Sequence, residues 1–308
     1  MPRKQKNLIP KTSSEQKLID YSRNFQVFKS SEMVQRGRMN LSLQEQRCVL
    51  FAISHIKPGD DVFQEYTINL KLFYEVFGLR DQSYTRLKEL LVDLSSKTWV
   101  IPMASDPNTD CYVHWFSTLR TNKKSGIVTV KFHEDMMPYL LNLAENGAFY
   151  THFALRFILP MTSQYSIQLY ELLKSYQRNN IRWTFDTDEL KQKLCCTNYK
   201  NFFDFRRRVL EPAMEEINKF GDFWVSYEAK KKGQGGRISE IEFVMRKKSD
   251  AEIDKALYEG SIVLDGQGLK MPEPKEALFP EGDPLRPADQ DTEKDPYDPY
   301  DPEQVSLF

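Results

Sequence analysis

Apolar residues recur at spacings of three and four through "SLQEQRCVLFAISHI", where Val49, Ile53 and Ile56 line one face and Ser42 with Glu45 has the spacing of a capping box. The pattern predicts an amphipathic helix. "SQYSIQLYELLKSY" repeats it with Tyr165, Leu169, Leu172, Leu173 and Tyr176. After each comes a short extended piece leading into a small helix, "EYTINLKLFYEVFGL" and "RWTFDTDELKQKLCC", with Asn69 and Asp186 as expected N-caps. Gly78 is placed to end the first of these helices. Setting Tyr66 against Trp183 gives an offset of 117 residues between the two copies, which share pattern rather than identity.

A third helix comes next each time. In the first copy it is "SYTRLKELLVDLSSK", with Tyr84, Leu87, Leu91 and Leu94 inward; in the second it opens with "NFFDFRRRVLEP" and continues through "AMEEINKF". Each runs into an apolar strand, "TWVI" or "FWVSY", and then a hairpin with a basic, glycine-bearing turn, "RTNKKSG" or "AKKKGQGGR". Three helices and then a two-stranded ribbon is the order of a winged helix. The expected fold is therefore α+β, with two tandem winged-helix domains and a disordered acidic tail. The expected boundaries are 1–25 for a basic flexible arm, 26–150 and 151–248 for the two domains, and 249–308 for the tail.

The segment from Asn201 to Pro212 then acquires a meaning. On a helix, Phe202, Phe205 and Val209 share one side while Asp204, Arg207 and Arg208 point largely the other way. In the helix-turn-helix arrangement within a winged helix, the third helix enters the major groove and a basic hairpin can lie along phosphates. Lys200, Asn201, Asp204, Arg207 and Arg208 are thus the candidate base or phosphate contacts, with Arg206 nearer the apolar edge. Lys230, Lys231, Lys232 and Arg237 belong to the second wing. In the first copy the corresponding residues are Arg86 and Lys88, Lys97 near the helix end, and Lys123 and Lys124 in the wing, a less basic set suited to phosphate. Pro212 lacks an amide hydrogen and is expected to kink or restart the helix.

Charge supports this placement. The net charge of −1 conceals a division: residues 250–308 carry 16 acidic and 5 basic residues, net −11, leaving 38 basic and 28 acidic before them, net +10. A cationic body suits a polyanion, nucleic acid first. Four cysteines without CxxC spacing and four scattered histidines argue against a disulfide framework, a metal site or a histidine-based catalytic centre, and no phosphate-binding loop appears. With no signal-like or membrane-length apolar run, the protein is expected to be cytoplasmic, without membrane contact, cofactor or metal, and not an enzyme.

"LSLQEQRCVLFAI", "YTRLKELLVDLSSKTW", "FILPMTSQYSIQLYELLKSY", "YKNFFDFRRRVLEPAMEEIN" and "YEAKKKGQGGRISEIEF" together make the chain resemble the replication initiators of iteron-containing bacterial plasmids, a family with two tandem winged-helix domains. The resemblance implies a protein that binds directly repeated origin sequences as a monomer, helps open adjacent AT-rich DNA, and engages the host replicative helicase and chromosomal initiator. It further implies a homodimer in equilibrium with the monomer, binding an operator inverted repeat and repressing its own gene. "FALRFILPMTSQYSIQLYELL" falls where the family remodels between the two states.

Beyond Ser249, eight of the 16 prolines and the repeat "DPYDPYDPE" argue for little fixed structure, with one or two helical turns in "AEIDKALYEG". The chain closes on Gln304, Val305, Ser306, Leu307 and Phe308, which resemble the short peptide by which replication proteins hold the host sliding clamp. Two other readings compete. A winged-helix transcriptional repressor would need one inverted repeat and no clamp contact; a nicking initiator would need a tyrosine nucleophile with clustered metal ligands.

Overall fold

The computed structural model describes residues 12–57, 60–79, 84–102, 108–143, 149–177, 181–231 and 236–265. Its first copy runs α1 (Ser13–Arg23), β1 (Gln26–Ser30), α2 (Ser31–Arg36), α3 (Leu43–Ile53), β2 (Tyr66–Asn69), α4 (Leu70–Val76), α5 (Tyr84–Ser96), β3 (Thr98–Pro102), β4 (Asp110–His114), β5 (Phe116–Asn122), β6 (Ile127–Phe132) and α6 (Met137–Leu140). The second continues with β7 (Tyr150–Ala154), α7 (Gln164–Tyr176), β8 (Arg182–Asp186), α8 (Thr187–Lys193), α9 (Phe202–Phe205), α10 (Glu211–Phe220), β9 (Phe223–Lys231), β10 (Ile238–Lys247) and α11 (Asp250–Asp265). The two main sheets have the same antiparallel order, β2-β6-β5 and β8-β10-β9. The expected pair of winged helices is present.

The offset between copies holds residue by residue through the second helix and its closing turn. Asn69 caps α4 by accepting from the Leu72 amide, and Asp186, 117 positions on, caps α8 by accepting from the Asp188 and Glu189 amides. Gly78 ends α4 at φ 60° and Cys195 ends α8 at φ 50°. In each case the next amide reaches back five residues, Leu79 to the Tyr74 carbonyl and Cys196 to the Lys191 carbonyl. That is a Schellman closure, which satisfies carbonyls the helix leaves free. The left-handed residue is a glycine in the first copy, where a Cβ would lie 2.3 Å from the Leu264 carbonyl oxygen. Gly78→Ala is therefore expected to destabilise by at least about 1 kcal/mol from the left-handed backbone alone, and by more from the displaced α11. A urea titration of the variant against wild type measures it.

The copies differ at one point. "TWVI" does not form the wing; as β3 it pairs with β4 in a separate two-stranded sheet, stacking Trp99 on Trp115 at 5.7 Å, and the wing is built from β5 and β6. "FWVSY" opens the long β9 of the second wing directly.

The two ends of the body are more ordered than their composition suggests. Residues 12–25 are not a flexible arm. Thr12 and Glu15 form a full capping box on α1, Ile19 is buried, and Arg23 is 2% exposed. Its Nε donates to the Val76 carbonyl and one Nη to that of Glu75, while the guanidinium holds both carboxylate oxygens of Asp265 at 2.7 and 2.8 Å. Likewise α11 occupies 16 residues rather than one or two turns. The first proline of that region stands only at position 272, Ser249 donates from its amide to Glu252, and Ala256, Leu257, Gly260 and Ser261 are buried. The remaining tail, 266–308, lies outside the described residues.

Between the copies, β7 pairs back onto β1, Ala154 opposite Gln26, so the strand that begins at the expected domain boundary packs with the first copy. Arg47 on α3 is buried and donates to the carbonyls of Leu159 and Met161 in the connection, and burial pushes its guanidinium down to about 10. Glu216 on α10 accepts from the Thr162 amide and hydroxyl and from the Ser163 amide. The connection between the copies is thereby tied to both.

Candidate nucleic-acid interface

The third helix of the second copy is continuous from Phe202 to Phe220, but not uniform. Residues Arg206–Leu210 form a π turn, in which the Glu211 amide bonds to the Arg206 carbonyl five residues back. Backbone angles at Leu210 and Glu211 remain helical. The expected restart at Pro212 is present in this form: the chain stays helical, but the α-helix begins anew at Glu211 with Pro212 in its first turn. A proline clashes with the carbonyl four residues before it, and the widened turn directly upstream supplies the extra backbone that absorbs this conflict. The π turn also rotates the helix by one residue, so that Phe205, Val209, Leu210, Ala213, Met214 and Ile217 all reach the core.

Its first turn is fixed by side chains. Asn201 is the N-cap; its carbonyl oxygen accepts from the Asp204 amide at 2.7 Å and its amide donates to the Asp204 carboxylate at 2.6 Å. Asn201, itself exposed, thus fixes the helix start. Asp204, expected at the DNA, faces Arg207 at 3.7 Å and Arg208 at 3.9 Å, side chains that are 56% and 58% exposed. It aims these two cations and leaves most of their donors in solvent. Such exposed pairs are worth only a few tenths of a kcal/mol, so a phosphate or guanine can displace them. Arg206 pairs instead with Glu211 at 3.4 Å and is half-buried, in keeping with its place near the apolar edge. Phe203, missed in the periodicity, stands 57% exposed with Arg206 and Arg207 over its ring at 5.6 and 5.5 Å.

Lys191 is the other residue the sequence did not single out. It is buried on α8, 5.6 Å over the Phe205 ring, and lies 3.8 Å from Asp188. It locks α8 against the third helix, a contact between turns of the chain that no periodicity announces. Lys200 is exposed at the end of the connecting turn.

In the second wing, Lys231 and Arg237 are exposed and Lys230 half-buried. Lys230 pairs with Glu242 at 3.2 Å and Arg237 with Asp188, which joins the wing to the start of α8. Lys232 lies outside the described residues. In the first copy Arg86 and Lys88 lie on the exposed face of α5, and Lys123 and Lys124 stand exposed in the β5–β6 turn, shaped by Asn122 accepting from the amides of Lys124 and Ser125. Lys97 donates to the buried carboxylate of Glu45 at 2.8 Å; it holds α5 to α3 and is not an outward cation. The structure thus sets two adjacent exposed arginines, Arg207 and Arg208, on the third helix of the second copy, and exposed lysines on both wings.

Two such units in tandem define a class of DNA-binding architecture in which both copies offer a third helix beside a basic ribbon. Residues 26–174 match the family described as Initiator Replication protein, WH1, and residues 186–245 match Initiator Rep protein, WH2. Together these matches cover well over half of the chain, which belongs to this family of replication initiators. Over 164 residues it is 23% identical to an uncharacterized 27.6 kDa protein of Escherichia coli, a match that takes in 52% of this chain and 66% of that one, just under two thirds of its length. Over 234 residues it is 25% identical to the PI protein of Escherichia coli, covering 70% and 71% of the two chains. The solved structure of the Pi initiator protein in complex with iteron DNA shares the fold with a TM-score of 0.58 at 20% identity, covering 74% of this chain and 99% of that chain.

Proposed function

We propose that this protein initiates replication of a plasmid by binding directly repeated origin sequences as a monomer, and that it helps open the adjacent DNA and engages the host replicative helicase and chromosomal initiator. As a homodimer it binds an inverted repeat and represses its own gene. The observation that carries the reading is the third helix of the second copy, where a capped first turn presents Arg207 and Arg208 beside a basic wing. Membership of the initiator family and the iteron DNA bound by the structurally similar Pi protein support it. In this reading Lys200, Arg207 and Arg208 face bases or phosphates, and Lys230, Lys231, Lys232, Arg237, Arg86, Lys88, Lys123 and Lys124 face phosphates. No cofactor and no catalytic step enters it.

Lysine on a wing and arginine on a third helix have separable signatures. Lys231→Ala is expected to lower the slope of log affinity against log salt by about 0.9 per lost phosphate contact, while discrimination between repeat and scrambled DNA stays unchanged. Fluorescence anisotropy at four salt concentrations reads both quantities.

The terminal residues Gln304, Val305, Ser306, Leu307 and Phe308 extend the reading to the host sliding clamp; they lie outside the described residues. Two apolar anchors and a polar handle on an acidic segment suit a shallow pocket. Removal of 304–308 is expected to abolish clamp binding in surface plasmon resonance and to leave affinity for repeat DNA as it was. Equal clamp binding by the shortened chain would end this part of the proposal.

A further inference from the structure

No packing against the core accounts for the large ring of Phe203. Its neighbours Phe202 and Phe205 turn inward, Phe205 being fully buried, whereas Phe203 is 57% exposed. Among the described residues it is the large hydrophobic side chain exposed on this helix, every other one being covered by the core or packed against it. A lone exposed hydrophobic is ordinary on a protein surface; this one stands in the first turn of a helix whose N-terminal residues are the ones that reach base edges in helix-turn-helix proteins. Its ring is also held in place. Arg206 and Arg207 lie over it at 5.6 and 5.5 Å, and Asp204 in turn restrains Arg207.

In the major groove, base edges offer donors, acceptors and a single apolar group, the C5 methyl of thymine. A fixed aromatic face in an otherwise charged reading surface has that one complementary target. We infer that Phe203 is a specificity-determining residue that packs on a thymine methyl, beside a guanine taken by Arg207. The 5.5 Å between ring and guanidinium, against a rise of about 3.4 Å per base pair, sets the two bases one or two steps apart. The inference rests on the placement of this helix in the major groove.

Replacing each thymine of the bound repeat in turn by uracil removes the methyl and nothing else. For the full-length wild-type protein, anisotropy titrations are expected to show about a threefold to fivefold loss at one or two positions next to a guanine, the worth of one buried methyl group. Phe203→Ala is expected to bind the thymine repeat more weakly and to give a flat uracil profile, and Phe203→Leu to restore part of the profile. Because the side chain is exposed, the melting temperature of both variants should match wild type. No uracil-sensitive position in the wild type, or the same sensitive positions in Phe203→Ala, overturns the inference. Arg207→Ala run alongside separates the two levels: if it loses discrimination while the wild-type uracil profile is flat, only the role of Phe203 falls, and if it too is without effect, the placement of the helix falls with it.

Discussion

Arg207→Ala is expected to weaken binding to the repeat DNA by about 5- to 150-fold and to leave binding to unrelated DNA within about twofold. A bidentate arginine–guanine contact is worth about 1 to 3 kcal/mol of discrimination, and the geometry leaves Arg207 able to make one. Its side chain is 56% exposed and its ion pair with Asp204 is long, at 3.7 Å. Little is lost when a base replaces that carboxylate. Asp204→Ala provides the internal check. It should weaken binding through both Arg207 and Arg208, which it aims together, and the double variant Asp204→Ala/Arg207→Ala should lose less than the sum of the two, since the partners share one contact network. Additive losses would mean that Asp204 meets the DNA on its own account.

The second large effect is on stability. Arg23→Ala is expected to destabilise the protein by about 3 to 5 kcal/mol, the usual cost of removing one partner from a buried ion pair. The guanidinium is 2% exposed, its two hydrogen bonds to carbonyls close the end of α4, and its carboxylate partner Asp265, 8% exposed, is the last residue of α11. The variant takes the Arg23 donors from the Val76 carbonyl and the Asp265 carboxylate, while the Glu75 carbonyl keeps the Gly78 amide. Asp265→Asn should cost less, because an amide oxygen can still accept. The alternative is that the last turn of α11 simply unravels and rehydrates Asp265. A shift in urea midpoint equivalent to less than about 1 kcal/mol for Arg23→Ala would favour it. Since Gly78 and Leu264 meet backbone to backbone at the same place, this corner fastens α11, the helix after the second copy, onto the helix-turn-helix of the first.

Legibility in the sequence divides along a physical line. Local signals were readable: the capping box of Ser42 and Glu45, the caps Asn69 and Asp186, and the helix stop at Gly78 stand where spacing and residue type placed them. The stop at Cys195 was not, because nothing about cysteine announces a left-handed backbone; only the offset from Gly78 reveals it. At Pro212 the restart was readable and its form was not. The rule that proline breaks a helix assumes bonds four residues back, and the chain here uses a five-residue turn. Average composition hid α11, since the acidic, proline-rich stretch beyond it dilutes the apolar spacing of Ile253, Ala256 and Leu257. Arg23 was beyond reach in principle, because its partner is 242 positions away. At the candidate interface, charge and helix order pointed to exposed arginines on this helix, but not to the cap made by Asn201, nor to the outward-facing Phe203.

The most direct test of origin binding is a footprint of the purified protein on the DNA surrounding its own gene, taken at two salt concentrations. An initiator should protect several evenly spaced direct repeats, with protection that persists at the higher salt and contacts in successive major grooves on one face of the duplex. Protection of a single inverted repeat in front of the gene, and of nothing else, would contradict that role and make the protein a repressor with this fold.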